Sequence, residues 1–419
     1  MIAHPGLRFA DHTVDVPLDH HEPGGETIEV FAREVVAADR AGDDLPWLLF
    51  LQGGPGGKSP RPLRAESWIA RAVRSHRVLL LDQRGTGRST PLTARTAGGR
   101  SAGELAAHLK LFRADSIVAD AEILRERVTG GARWDTLGQS YGGFVTMAYL
   151  SAAPHGLRTC YVTGGLPGLT ATADDVYART YPRVAAKNAE FYNAFPGDVA
   201  AVRRIADHLA TTDVRLPDGD RLTVERFRFL GSSFGMSYGY AQLHWLLDEA
   251  WHGDELSDTF RYAVMTATGF IDEPLFALQE YCYGRAGSAT GWAAARAVET
   301  RPEFAATATP LLFTGEMMYP WMFEQIAALR PFAGAADILA AATDWPDLCD
   351  RARLAANEVP VLAAVYADDM YVDAGLSLET AAAVGNVRTW VTNEHEHDGL
   401  RTSGEEVLGH LMDMAAGLR

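Results

Sequence analysis

The chain has 419 residues, and 38 basic against 54 acidic side chains leave it at a net charge of −16. That charge argues against nucleic acid and anionic membrane as partners, and the ordinary apolar content of 47% argues against disorder. Three cysteines, Cys160, Cys282 and Cys349, are too few and too scattered for a disulfide framework; with no signal peptide or membrane-spanning run read from the sequence, a reducing cytoplasm is the expected compartment.

The length suits one large α/β domain with an insertion, or two domains. Two strands around a turn are predicted over residues 12–36, with period-two alternation in Thr27–Val36. His20 and His21, in that turn, are expected at the surface. Apolar runs then follow at Pro46–Leu51 and Arg77–Leu81. The first is ended by Gln52-Gly53-Gly54-Pro55-Gly56-Gly57, the second by Asp82-Gln83-Arg84-Gly85-Thr86-Gly87-Arg88-Ser89. A helix is predicted near Ser116–Arg125. A short strand, Trp134–Leu137, leads into an apolar helix from Tyr141, and another strand covers Cys160–Thr163. Apolar strands alternating with helices imply a parallel sheet covered on both faces. Residues 170–355 break this rhythm and read as a mostly helical, aromatic cap. The core is then 1–169 and 356–419. Its rhythm resumes at Val359–Tyr366, a helix near Leu376–Val384, a strand at Val387–Val391 and a last helix over about 403–418.

Gly138-Gln139-Ser140-Tyr141-Gly142 has the form Gly-x-Ser-x-Gly between a strand and a helix. This is the pattern of a nucleophile elbow, the turn that exposes the serine of an α/β-hydrolase. Gly231-Ser232-Ser233-Phe234-Gly235 fits the same pattern, but its polar, aromatic surroundings mark it as a loop. A serine needs a histidine to take its proton, and the imidazole needs a carboxylate to fix its tautomer. In this fold the chain order is serine, acid, histidine. The strand ending at Tyr366 supplies Asp368 and Asp369. The strand ending near Val391 supplies His395 and His397. For the oxyanion hole, one backbone N–H is expected from Tyr141 and the other from the glycine loop, with Gly54 as the candidate. That loop lacks the spacing of a phosphate-binding loop. His395-Glu396-His397 is a weak metal pattern, so neither a metal nor a cofactor is expected.

Together these segments resemble the proline iminopeptidases, serine peptidases on the α/β-hydrolase fold. The shared residues are Gly53–Gly57, Asp82–Ser89, Gly138–Gly143, Asp369-Met370-Tyr371-Val372 and His397-Asp398-Gly399-Leu400-Arg401. Two positions depart from the family pattern: Gln52 stands where many members have His, and Asp373 where proline is common. The resemblance implies Asp369 as acid and His397 as base. It implies release of an N-terminal proline through an acyl-enzyme, from peptides with a free N-terminus. It also implies cap glutamates that bind the α-amino group, for which Glu280 and Glu316 are the candidates because each sits among aromatics. The competing readings are an esterase, amidase or broader aminopeptidase with the same triad, and a non-catalytic receptor on the same fold.

Overall fold

The computed structural model describes residues 2–419. Its main sheet has nine strands: β1 Ile2–His4, β2 Leu7–Pro17, β3 Thr27–Ala37, β4 Trp47–Leu51, β5 Arg77–Leu81, β6 Trp134–Gln139, β7 Leu157–Thr163, β8 Val361–Tyr366 and β9 Val387–Thr392. Their order across the sheet is β1-β2-β3-β5-β4-β6-β7-β8-β9. The first three junctions are antiparallel, with β2 and β3 paired over their full lengths from Leu7↔Ala37 to Pro17↔Thr27. From β5 onward all pairings are parallel.

Burial explains the sequence of these strands. A parallel strand covered by helices on both faces has no solvent side, so it reads as a continuous apolar run. All six residues of β8 are buried, as are the last four of β4 and of β5. Helices Ala114–Thr129 and Tyr141–Ala152 cover one face, and helices Ser67–Ala72 and Gly404–Ala415 pack together on the other. The six parallel strands point their carboxyl ends the same way. In such sheets the loops leaving those ends form the binding crevice. Here they carry the glycine loop, Asp82, Ser140, Gly164, Asp369 and His397 in turn.

Between β7 and β8 the chain inserts a run of helices from Ala173–Ala194 to Arg351–Ala355, with one two-stranded hairpin. No described helix is long and apolar enough to cross a membrane. Two local expectations are corrected. His20 is not a surface residue like His21; it is half-buried and lies 2.8 Å from Asp120 Oδ1. Ser233 lies not in a loop but in the 3-10 helix Phe229–Gly235.

Candidate active site

The elbow is built by close packing. Ser140 has φ 53° and ψ −122°, a conformation disfavoured for any residue with a side chain. Its N–H is held by Thr163 O at 3.0 Å and its carbonyl by Gly143 N at 2.8 Å. A Cβ on Gly138 would stand 2.5 Å from Gly142 O, and one on Gly142 would collide with Leu51 O. Strand, turn and helix therefore approach too closely for any side chain at either glycine. Ser140 immediately precedes Tyr141–Ala152, so the positive end of that helix faces the serine.

Asp369 follows β8 and is buried. Its Oδ1 accepts the N–H groups of Tyr371 at 2.8 Å and Val372 at 3.1 Å, and its Oδ2 lies 2.6 Å from His397 Nδ1. With Nδ1 engaged, Nε2 is left to act as base. Burial pulls the His397 imidazole toward its neutral form. The charge and hydrogen bond of Asp369, with a smaller push from Glu316, outweigh that and raise it above its ordinary value. Asp368 points elsewhere: it is exposed and pairs with Arg183 at 2.8 Å. His395 packs edge-on against Tyr366 and Trp390. The consecutive glycines after β7 lie between Ser140 and His397. A Cβ on Gly164 would lie 3.1 Å from His397 Nδ1, and one on Gly165 would strike Ser140 O.

The glycine loop lies on the elbow, since a Cβ on Gly53 would be 2.5 Å from Gln139 Oε1 and 3.0 Å from Ser140 Cβ. Gly54 has φ +129°, a region open to glycine. The Asp82–Ser89 segment holds this loop. Gln83 Nε2 donates to Gln52 O at 2.9 Å. Asp82 accepts from Ser59 N at 3.1 Å, Arg61 Nη1 at 2.9 Å and Arg88 N at 2.9 Å. Arg84, fully buried, grips Asp120 at 2.7 Å and three backbone carbonyls. A buried guanidinium is tolerated because nearly all its donors are satisfied.

The two glutamates part company. Glu280 accepts the N–H groups of Ala293 at 3.1 Å and Ala294 at 2.9 Å, at the start of helix Ala293–Glu299. Burial still pushes its carboxyl up to about 7 against those two bonds. Glu316 is partly exposed, and its neighbour Gly315 sits against the acid loop, where an added Cβ would lie 3.0 Å from Met370 Cε. Burial pushes it up to about 7, opposed by His397 and reinforced by Asp369. Glu316 is therefore close enough to feel the acid–base pair, whereas no such coupling reaches Glu280. Tyr283 lies near both.

The insert also supplies partners that the sequence did not announce. Gly235 O accepts the backbone N–H of His397 at 3.1 Å, and Ser237 Oγ donates to Asp398 Oδ2 at 2.9 Å. Tyr371 O–H donates to Ser232 O. A Cβ on Gly235 would lie 2.5 Å from the Tyr371 ring, so the second Gly-x-Ser-x-Gly segment packs on the acid loop. Its other glycine, Gly231, packs instead on Phe313 and Thr314, where a Cβ would strike Phe313 Cβ. The Gly164-Gly165 pair after a strand was a signal for close approach; Gly235 and Ser237 had none.

The family described as the alpha/beta hydrolase fold matches residues 46–246. A proline iminopeptidase of Aeromonas sobria is 46% identical over 412 residues, covering 97% of this chain and 96% of its own. A proline iminopeptidase of Aspergillus aculeatus is 34% identical over 424 residues, covering 96% and 93%. The solved structure of VinJ covers 97% of this chain and 99% of its own, at 15% identity and a TM-score of 0.48.

Proposed function

The chain belongs to the proline iminopeptidase family, and from that premise we propose that it is a serine exopeptidase releasing N-terminal proline, with Ser140, His397 and Asp369 as its triad. The observation that carries the assignment of substrate is the placement of Glu316. A partly buried carboxylate beside the acid loop, next to Gly315 where it packs on Met370, gains from a cation that offsets its desolvation, and the α-ammonium of a peptide is such a cation. Residues 170–355 act in this reading as the cap that recognises the substrate. Glu280 shapes the cap from the start of its helix rather than touching the amine.

The steps follow from these positions. Ser140 Oγ attacks the prolyl carbonyl while His397 Nε2 takes its proton. The oxyanion is received by the N–H of Tyr141 and that of Gly54. Collapse breaks the C–N bond, and His397 returns the proton to the departing amine. Water, deprotonated by the same histidine, then hydrolyses the prolyl ester. The proposed compartment is the cytoplasm, which suits three cysteines that are all unpaired thiols.

The test compares proline p-nitroanilide, its N-acetyl derivative and short acyl esters. The free amine should be strongly preferred. Efficient cleavage of the N-acetyl compound would overturn an aminopeptidase and establish the esterase or amidase reading.

A further inference from the structure

A cavity of about 670 Å³ adjoins the triad on the His397 side, within the usual range for small-ligand sites. Gln139 and His397 line its inner end. Its floor is apolar, with Phe50 and Trp68 stacked at 4.5 Å. Three cations, Lys58, Arg61 and Arg401, line it as well. Two carboxylates share the wall, Asp398 held by Ser237 and Glu66 by Arg64, so in a chain of net charge −16 it still carries cations in excess. The three differ in what they already hold. Arg61 is committed to the buried Asp82. Lys58 makes an exposed contact with Asp272 at 3.3 Å. Arg401 is exposed and enters no ion pair among the described residues, although Glu273 lies near enough to sense it and Lys58.

In a serine hydrolase the histidine delivers its proton to the leaving group, so the leaving group sits on the histidine side. Resting on the prolyl aminopeptidase reading, this puts the residues after proline in the cavity. Each extended residue spans about 3.5 Å, so the C-terminus of a short peptide falls close to the scissile nitrogen. Arg401 stands in the first turn after the N-cap Asp398, on the helix Gly399–Thr402 that follows His397. We propose that Arg401, assisted by Lys58, recognises the free C-terminal carboxylate of short proline-first peptides, with the intervening side chain on the Phe50–Trp68 floor. A planar guanidinium with unused donors suits a carboxylate, and the weak Lys58–Asp272 contact yields easily to one.

The experiment measures kcat/KM on Pro-Phe, Pro-Phe amide and proline p-nitroanilide. The quantity read is the acid-to-amide ratio within each protein. It should be about fivefold above one in the unaltered enzyme, the size of a partly exposed ion pair, and should shrink as salt is added. Arg401→Gln should bring it near one, Arg401→Lys should restore part of it, and Lys58→Gln should lower it. Arg127→Gln removes an equal charge from an exposed residue of helix Ala114–Thr129, on the face of the sheet away from Trp68, and should leave the ratio alone. An unchanged ratio in Arg401→Gln, with proline p-nitroanilide still cleaved, overturns the carboxylate site and spares the aminopeptidase. Failure of the unaltered enzyme on proline p-nitroanilide overturns both.

Discussion

Replacing Glu316 by Gln should weaken the enzyme and strengthen the fold. Burial lifts this carboxyl from 4.5 to about 7. At about 1.36 kcal/mol per pH unit, the charged form is held at a cost of about 3 kcal/mol. Between pH 4.5 and 7 the folded chain keeps a proton that the unfolded chain has released. Stability from this group is thus complete below 4.5 and lost as pH rises to about 7. The Glu316→Gln change removes that loss, because the amide has no charge to desolvate. An unfolding entropy of about 2.1 cal/mol/K per residue makes about 3 kcal/mol worth roughly 3 °C in Tm at pH 8 for a chain of this length. Activity should move the other way. Loss of a charge-assisted hydrogen bond to the ammonium costs about 1.5–3 kcal/mol, or about 10- to 150-fold in kcat/KM on proline p-nitroanilide. The acid limb of the pH profile should also change. It reports deprotonation of both Glu316 and His397 in the parent, and of His397 alone in the variant. Because Glu316 helps to raise His397, the remaining limb should shift to lower pH. Calorimetry at pH 5 and pH 8, with pH-dependent kinetics, reads all three. A loss of activity under about threefold, or a Tm gain equal at both pH values, would refute the reasoning.

Ser140→Ala should lower kcat by about three or more orders of magnitude; Ser233→Ala, which loses only a hydrogen bond to Leu230 O, should stay near parent activity in the same assay. Asp369→Asn should reduce kcat by about 10⁴-fold by favouring the wrong tautomer. Asp368→Asn breaks only an exposed pair with Arg183, and equal losses in steady-state kinetics would sink the distinction. Gly142→Ala places a methyl group on Leu51 O and should destabilise by more than about 4 kcal/mol, seen as insoluble protein or a collapsed urea midpoint.

The parallel core was readable because its strands are buried on both faces and end in glycine-rich loops. The elbow was readable because only glycine fits where β6 meets the following helix. The insert was harder. Leu222–Phe229 alternates as a half-buried strand would, yet Val224–Arg228 is a helix capped by Thr223. Arg226 and Arg228 occupy what look like solvent positions but are buried, the first held by Thr268 and Asp220, the second by Leu312 O and Phe304 O. A polar pattern suggests solvent, and buried arginines held by partners inside the fold break that expectation. Glu280 and Glu316 looked equivalent because both sit among aromatics. Only the fold shows one occupied by backbone N–H groups and the other beside the acid loop, near enough to feel the charge of His397. The role of Asp82–Ser89 was also hidden, since its hydrogen bonds reach Gln52, Ser59 and Asp120 across the sheet.

The insert does more than choose a substrate. Helix Ala173–Ala194 carries Arg183 and Lys187 one turn apart on the same face. Arg183 pairs with Asp368, and Lys187, itself buried, pairs with Glu396 at 2.5 Å. These carboxylates are the chain neighbours of Asp369 and His397. Gly235 O and Ser237 add hydrogen bonds to His397 and Asp398. One side of the acid–base pair is thus set by strands β8 and β9, the other by the insert. The tie is carried mainly by the buried Lys187–Glu396 pair, since the exposed Arg183–Asp368 pair adds little. Geometry within about 0.5 Å is needed for proton transfer, and loops at strand ends are seldom that rigid alone. The insert therefore supports the segments that carry Asp369 and His397, the proposed acid and base, as well as forming the proposed recognition element.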